Sequence, residues 1–172
     1  STFRVDGSKT GFKDDRTAYS RGHANWRGTR DLGTNKVWLG ADLNILRQHP
    51  ATPHVREGAA LSTQTPLDAN YNPAGSRLDE DRFSLNGGFE RPLASGTVWT
   101  TIASFTHSGQ EAFRGFLVDV SNTPDNASGF REDIEVNDFY GDTHLIFPAK
   151  RNIRLMAGAD VLAAGGEARG AA

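Results

Sequence analysis

The chain has 172 residues, 19 basic against 21 acidic side chains, no cysteine and 37% hydrophobic residues. That length suffices for one domain. The balanced charge offers no field for nucleic acid, and the lack of thiols excludes disulfides and cysteine-based metal or nucleophile chemistry. No apolar run approaches the roughly 18 residues of a membrane helix. That limit does not touch strands, because barrel strands show only alternate residues to lipid.

Residues 1–12 read as a strand with Phe3 and Val5 on one parity, followed by a charged loop at 13–17. Residues 18–31 form a second strand. One parity holds Tyr19, Arg21, His23, Asn25, Arg27 and Thr29, and the other holds Ser20, Gly22, Ala24, Trp26 and Gly28. Leu32-Gly33-Thr34-Asn35 is a turn, since Gly and Asn tolerate positive φ. The third strand, 36–49, sets Val37, Leu39, Ala41, Leu43 and Ile45 against Trp38, Gly40, Asp42, Asn44 and Leu46.

Residues 50–80 have no sustained period and contain Pro50, Pro53, Pro66 and Pro73, the composition of a long loop. A hairpin follows. Phe83, Leu85, Gly87 and Phe89 alternate with Arg82, Ser84, Asn86 and Glu90, the chain turns at 92–96, and a Thr- and aromatic-rich strand covers 97–107. Matching the apolar faces predicts Phe89 opposite Trp99, Leu85 opposite Ala103 and Phe83 opposite Phe105. Residues 108–130 read as a second long loop, with strand extensions at 112–120. A sixth strand, 131–147, sets Phe139, Gly141, Thr143, Leu145 and Phe147 against Tyr140, Asp142 and His144. After a turn at 148–152, a seventh strand, 153–162, carries Ile153, Leu155, Ala157, Ala159 and Val161 on one face.

The fold class is therefore all-β: an antiparallel up-and-down meander of about seven long strands. Short turns at 32–35, 92–96 and 148–152 alternate with longer connections at 13–17, 50–80 and 108–130. In a meander that gathers short turns at one end and long loops at the other, the asymmetry of outer-membrane barrels. The strands at 18–31 and 36–49 are more than twice the usual length of about 5–6 residues.

Two stretches carry a family resemblance. Thr65-Pro66-Leu67-Asp68-Ala69-Asn70-Tyr71-Asn72-Pro73-Ala74-Gly75, with a strand starting near Asp81, resembles an outer loop of TonB-dependent outer-membrane receptors. Arg154-Leu155-Met156-Ala157-Gly158-Ala159-Asp160, running on to Gly166-Glu167-Ala168-Arg169-Gly170, is similar to a barrel strand and loop entrance of that family. The resemblance implies part of a transmembrane β-barrel of 22 strands with a plugged lumen, in the outer membrane of a Gram-negative bacterium. It implies energised uptake of a scarce nutrient such as an iron–siderophore, another metal chelate or cobalamin. Partners would be outer-membrane lipid, the small-molecule ligand, and TonB through an N-terminal segment that these residues do not contain. Residues 1–172 are expected to form a partial barrel domain, about a third of the whole, without the plug.

The same alternation also fits a soluble β-sheet module that binds a ligand or carbohydrate, because a core-facing and a lipid-facing apolar stripe look alike in sequence. A sandwich would bury Leu39, Leu43 and Leu155 between two sheets. A barrel would turn the polar parity toward the lumen, with Arg21, His23, Arg27, Asp42, Asn44, Arg82, Asn86, Asp142 and His144 as lumen-facing candidates. Phe89 with Trp99, and Phe83 with Phe105, are candidate girdle aromatics or ordinary cross-strand pairs.

The long loop offers His49, His54, Arg56, Tyr71 and Asn72 for ligand contact. Two loop histidines without converging partners do not make a metal site. The carboxylates at 79–81 and 132–133 are the nearest approach to a glycosidase pair, and loop-end charge explains them more simply. No nucleophile–base arrangement or phosphate loop is visible. The expectation is therefore no enzyme, no catalytic residue, no metal and no cofactor.

Overall fold

A computed structural model of the chain describes residues 1–11, 17–51, 56–57, 60–61, 63, 70, 72, 75–117 and 127–171. The period-two segments all form strands. They are β1 (Thr2–Gly11), β2 (Ala18–Leu32), β3 (Asn35–His49), the two-residue β4 (Arg56–Glu57) and β5 (Ala60–Leu61), β6 (Arg77–Pro92), β7 (Val98–Leu117), β8 (Ala127–Ile146) and β9 (Met156–Ala171). The seven long strands make one sheet in the order β1-β2-β3-β6-β7-β8-β9, antiparallel throughout, while β4 pairs with β5 in a separate two-stranded sheet. Each long strand thus lies beside the next one in the chain, as in a meander.

Local chemistry fixes the short connections. The β2–β3 hairpin closes on Leu32↔Asn35, with Gly33 at φ 67 in the first central position, the type II′ requirement. The turn before β9 places Arg151 at φ 51 and Asn152 at φ 64. Lys150 and Ile153 exchange hydrogen bonds of 2.9 and 3.0 Å across it, the type I′ pattern. Between β6 and β7 the backbone N–H of Leu93 donates to the Thr97 carbonyl at 2.7 Å, around a short 3₁₀ turn at Ala94–Gly96.

That turn corrects the expected register. Leu85 faces Phe105, Gly87 faces Ala103, Phe83 faces His107 and Arg91 faces Trp99, a slip of two residues from the pairing read off the sequence. A slip of two keeps every side chain on its face. Phe89 and Trp99 still meet diagonally, edge to face with centroids 5.6 Å apart. The strands also run further toward the long-loop end than expected. β6 begins at Arg77, β7 continues to Leu117, and β8 begins at Ala127, so much of 108–130 is paired strand. β9 starts at Met156 rather than 153 and reaches Ala171.

The two faces of the sheet are occupied in the reverse of a water-soluble domain. Among the described residues the one buried hydrophobic side chain is Ala112, at 4% exposure. Leu39, Leu43, Phe83, Leu85, Phe105 and Phe139 lie on one face and are all exposed, and Leu155 is 64% exposed. No second sheet covers them among the described residues, so the sandwich arrangement is absent there. Fully burying a Leu or Phe side chain is worth about 1.5–3 kcal/mol. Leaving this whole set half exposed to water would forfeit much of a typical net stability of about 5–15 kcal/mol. The face therefore calls for apolar surroundings.

Along β3, β7 and β8 the opposite, polar face is the more covered one. Along β8, Arg131, Asp133, Glu135, Asn137 and Phe139 are exposed, whereas Glu132, Ile134, Val136, Asp138 and Tyr140 are half-buried. Side chains crowd on the concave side of a curved single sheet, so the polar face is the inner one. Trp38 lies flat on Gly88 there, where an added Cβ would sit 2.0 Å from Cζ2 of the indole.

Candidate functional site

Strand parity and register together build the inner wall. Across β1–β2–β3, Asp6 faces His23, and His23 faces Asn44. The His23 ring lies between two carboxylates, with Nδ1 3.1 Å from an Asp6 oxygen and Nε2 2.8 Å from an Asp42 oxygen. Asn25 donates to the same Asp42 oxygen at 3.2 Å, and Arg21 Nε donates to Asn44 Oδ1 at 2.9 Å. These side chains tie three strands together by hydrogen bonds where a soluble sheet would use apolar packing.

The wall continues through β6 to β8. Arg82 stands opposite Asn44, and Ser84 opposite Asp42. The Asn86 amide covers Gly40, whose added Cβ would lie 2.9 Å from Asn86 Oδ1. Arg27 faces Gly40 from β2 and is exposed. On β8, Nδ1 of His144 bonds to Asp142, and Asp142 faces Asp160 of β9. All nine lumen-facing candidates thus fall on the polar face. His23 and Asp42 join Asp6 and Asn25 in one hydrogen-bonded group, Arg21 and Asn44 pair beside it, and Asp142 and His144 form a separate pair. A surface of this kind can hydrate, orient and exchange hydrogen bonds with a polar solute or a protein surface.

On the outer face the apolar stripe stops at a sharp line. Val37 to Ile45 spans about 27 Å along β3, or about 20 Å at the tilt usual for barrels, close to the roughly 25 Å apolar band of a membrane barrel. Above that line, the positions that carry Leu43, Phe83, Phe105 and Phe139 lower down carry charge. Arg47 Nη2 donates to Asp81 Oδ2 at 2.9 Å, and Arg47 Nε lies 3.8 Å from Asp79. Arg77 and Arg131 share Glu111, the second at 2.9 Å. Arg169 Nε bonds to Glu167 at 2.7 Å. The hydrogen bond to Asp81 raises the Arg47 guanidinium above its ordinary range. The Arg77 hydrogen bond, helped by Arg131, holds Glu111 below the usual carboxylate range. The acidic cluster at 79–81 is thus largely tied up in ion pairing.

At the long-loop end lies a compact polar knot. Asn72 is 3% exposed. Its Nδ2 donates to the Pro50 carbonyl at 2.8 Å and to Asn70 Oδ1 at 2.9 Å, and its Oδ1 accepts the Gly115 N–H at 2.8 Å. Asn70 Nδ2 donates to the Pro50 carbonyl at 3.1 Å and to Thr17 Oγ1 at 3.3 Å. Asn72 is therefore buried inside the chain rather than displayed for a ligand, because its amide replaces backbone partners. His49 is exposed, with Nδ1 3.1 Å from the Ser76 carbonyl oxygen. Arg56 sits in β4, and His54 and Tyr71 lie outside the described residues.

Sequence reasoning missed Asp6, Asn70 and the outer charged ladder. Parity alone would have exposed the ladder, because Arg47 continues the Leu43–Ile45 face and Asp81 continues the Phe83 face.

No family model matches this sequence, and no curated protein matches it. A solved structure does: the complex of FpvAI with pyocin S2 superposes with a TM-score of 0.74 over 98% of this chain, at 14% sequence identity. FpvAI is a TonB-dependent receptor with a β-barrel. The chain has a TonB-dependent-receptor-like barrel fold. It spans 25% of the FpvAI chain it matches. The likeness is one of strand order and geometry, with little shared sequence beneath it.

Proposed function

We propose that the chain is barrel wall of a TonB-dependent receptor in the outer membrane of a Gram-negative bacterium. Its task in this reading is the uptake of a scarce nutrient, such as an iron–siderophore or cobalamin. The observation that carries the reading is the inverted sheet, with exposed Leu and Phe on the outer face, a hydrogen-bonded polar inner face, and one buried apolar side chain among the described residues. Ligand arrives at the long-connection end, beside β4–β5 and His49, and passes along the wall formed by Arg21, His23, Asp42, Asn44, Arg82 and Asn86. The chain contributes hydration and hydrogen bonding there, and no covalent step. Energy enters through TonB, engaged by parts of the receptor other than these strands. The pyocin bound to FpvAI makes a protein a further class of partner for the same mouth.

Fractionation of cells expressing the full-length protein tests this directly. The protein is expected with the outer membrane, resistant to carbonate washing and released only by detergent. Its deletion should abolish growth on one ferric siderophore or on cobalamin when that nutrient is limiting. Recovery as a compact monomer in detergent-free buffer would sink the proposal in favour of a soluble binding module.

A further inference from the structure

Among the described residues, the long connection between β3 and β6 reaches the backbone of β7 at Gly115. β6 and β7 pair as far as Arg77↔Phe113, and β7 then runs on to Leu117. Gly115 lies two residues past the last β6 partner, so on that side its N–H has no strand to donate to. Asn72 Oδ1 takes this proton at 2.8 Å. The amide nitrogen of the same side chain donates to the Pro50 carbonyl, where β3 ends. One carboxamide thereby stands in for a missing strand on both sides, as acceptor for β7 and as donor for the end of β3. Asn70 supports it from behind, and Thr17 extends the knot to the start of β2. Gly115, Asn70, Asn72, Ser76, Thr17 and Pro50 are all buried. A buried amide is costly to leave without partners, so this arrangement resists local opening.

We infer that Asn72 is a positioning residue, fastening the β3–β6 connection at once to β7 and to the end of β3. Its relevance to ligand capture rests on the proposed function, whereas the tether itself does not. Asn70 and Asn72 supply the geometry of the tether.

The experiment uses the full-length protein in detergent and needs no ligand. These 172 residues contain no cysteine, so, with any cysteine elsewhere in the full-length protein replaced by serine, Thr63→Cys with Gly129→Cys gives a specific pair of spin labels, one on the connection and one on β8. In Asn72→Ala the Gly115 amide should exchange with deuterium about tenfold faster, as expected for loss of one such bond, and the label distance distribution should broaden. The Ser104 amide, deep in β7, should be unchanged, which shows that the barrel is intact. Asn72→Asp keeps the acceptor for Gly115 and loses the donor to Pro50, so Gly115 protection should persist while the distribution still broadens. Unchanged Gly115 exchange in Asn72→Ala, or unchanged label distances in both variants, overturns the inference. These readouts are indifferent to what the receptor imports, so they fail independently of the uptake assay.

Discussion

At the scale of single residues, the structure depends on close approach and paired charge more than on burial. Trp38 lies on Gly88, and a Cβ there would fall 2.0 Å from the indole. Gly88→Ala should therefore cost about 1–3 kcal/mol through overpacking, read as a lower thermal midpoint in detergent. Gly22→Ala, with nothing within 4 Å of the new Cβ, should leave the midpoint nearly unchanged. Glu111 gives a pH signature. Its carboxyl is held below the ordinary value of 4.5 by Arg77 and then Arg131. A depressed folded-state pKa gives stabilisation that is complete above the unfolded value and is lost as pH falls through the folded one. Melting temperature should drop as pH falls below about 4.5, and Glu111→Gln should flatten that part of the profile. That these polar side chains share one face of the sheet was legible from parity. Their partners were not, since the Asp6–His23–Asp42 bridge joins residues on three strands and depends on register.

At the scale of elements, the period-two pattern located all seven long strands and separated their faces. It could not fix the β6–β7 register, because displacement by two residues leaves every side chain on its original face. The turn decides that register, and the Leu93–Thr97 closure was not encoded in hydropathy. The strand extensions were missed for a related reason. Beyond the apolar stripe polar and apolar residues no longer separate cleanly between the faces, with Ile134 and Val136 inward and Arg131 and Asp133 outward, so the pattern fades while backbone pairing continues. The solvent met by the outer face can be read by placing charge on it. Leu85→Arg, in the middle of the β6 stripe, should cost about 2–4 kcal/mol in a lipid bilayer. Gly109→Arg, above the line, should cost about 0–1 kcal/mol. Reversible unfolding of the full-length protein in lipid vesicles compares the two, and equal costs would contradict a lipid-facing stripe.

At the scale of the whole molecule, the alternation of short turns and long connections gave the meander and its two unlike ends from sequence alone. The polar knot at the long-connection end was out of reach, because Asn72 and Gly115 are brought together only by strand overrun. The arrangement also has a thermodynamic character of its own. Every substantial contact between long strands joins neighbours in the sheet, and among the described residues no common core links distant ones. Such a system is close to one-dimensional, with a free energy that is a sum of nearest-neighbour terms. Damage at one strand pair is then felt at the adjoining pairs and fades beyond them. One hairpin can then be rewritten while the others keep their stability, so a wall of this kind tolerates extensive change of sequence without change of strand order.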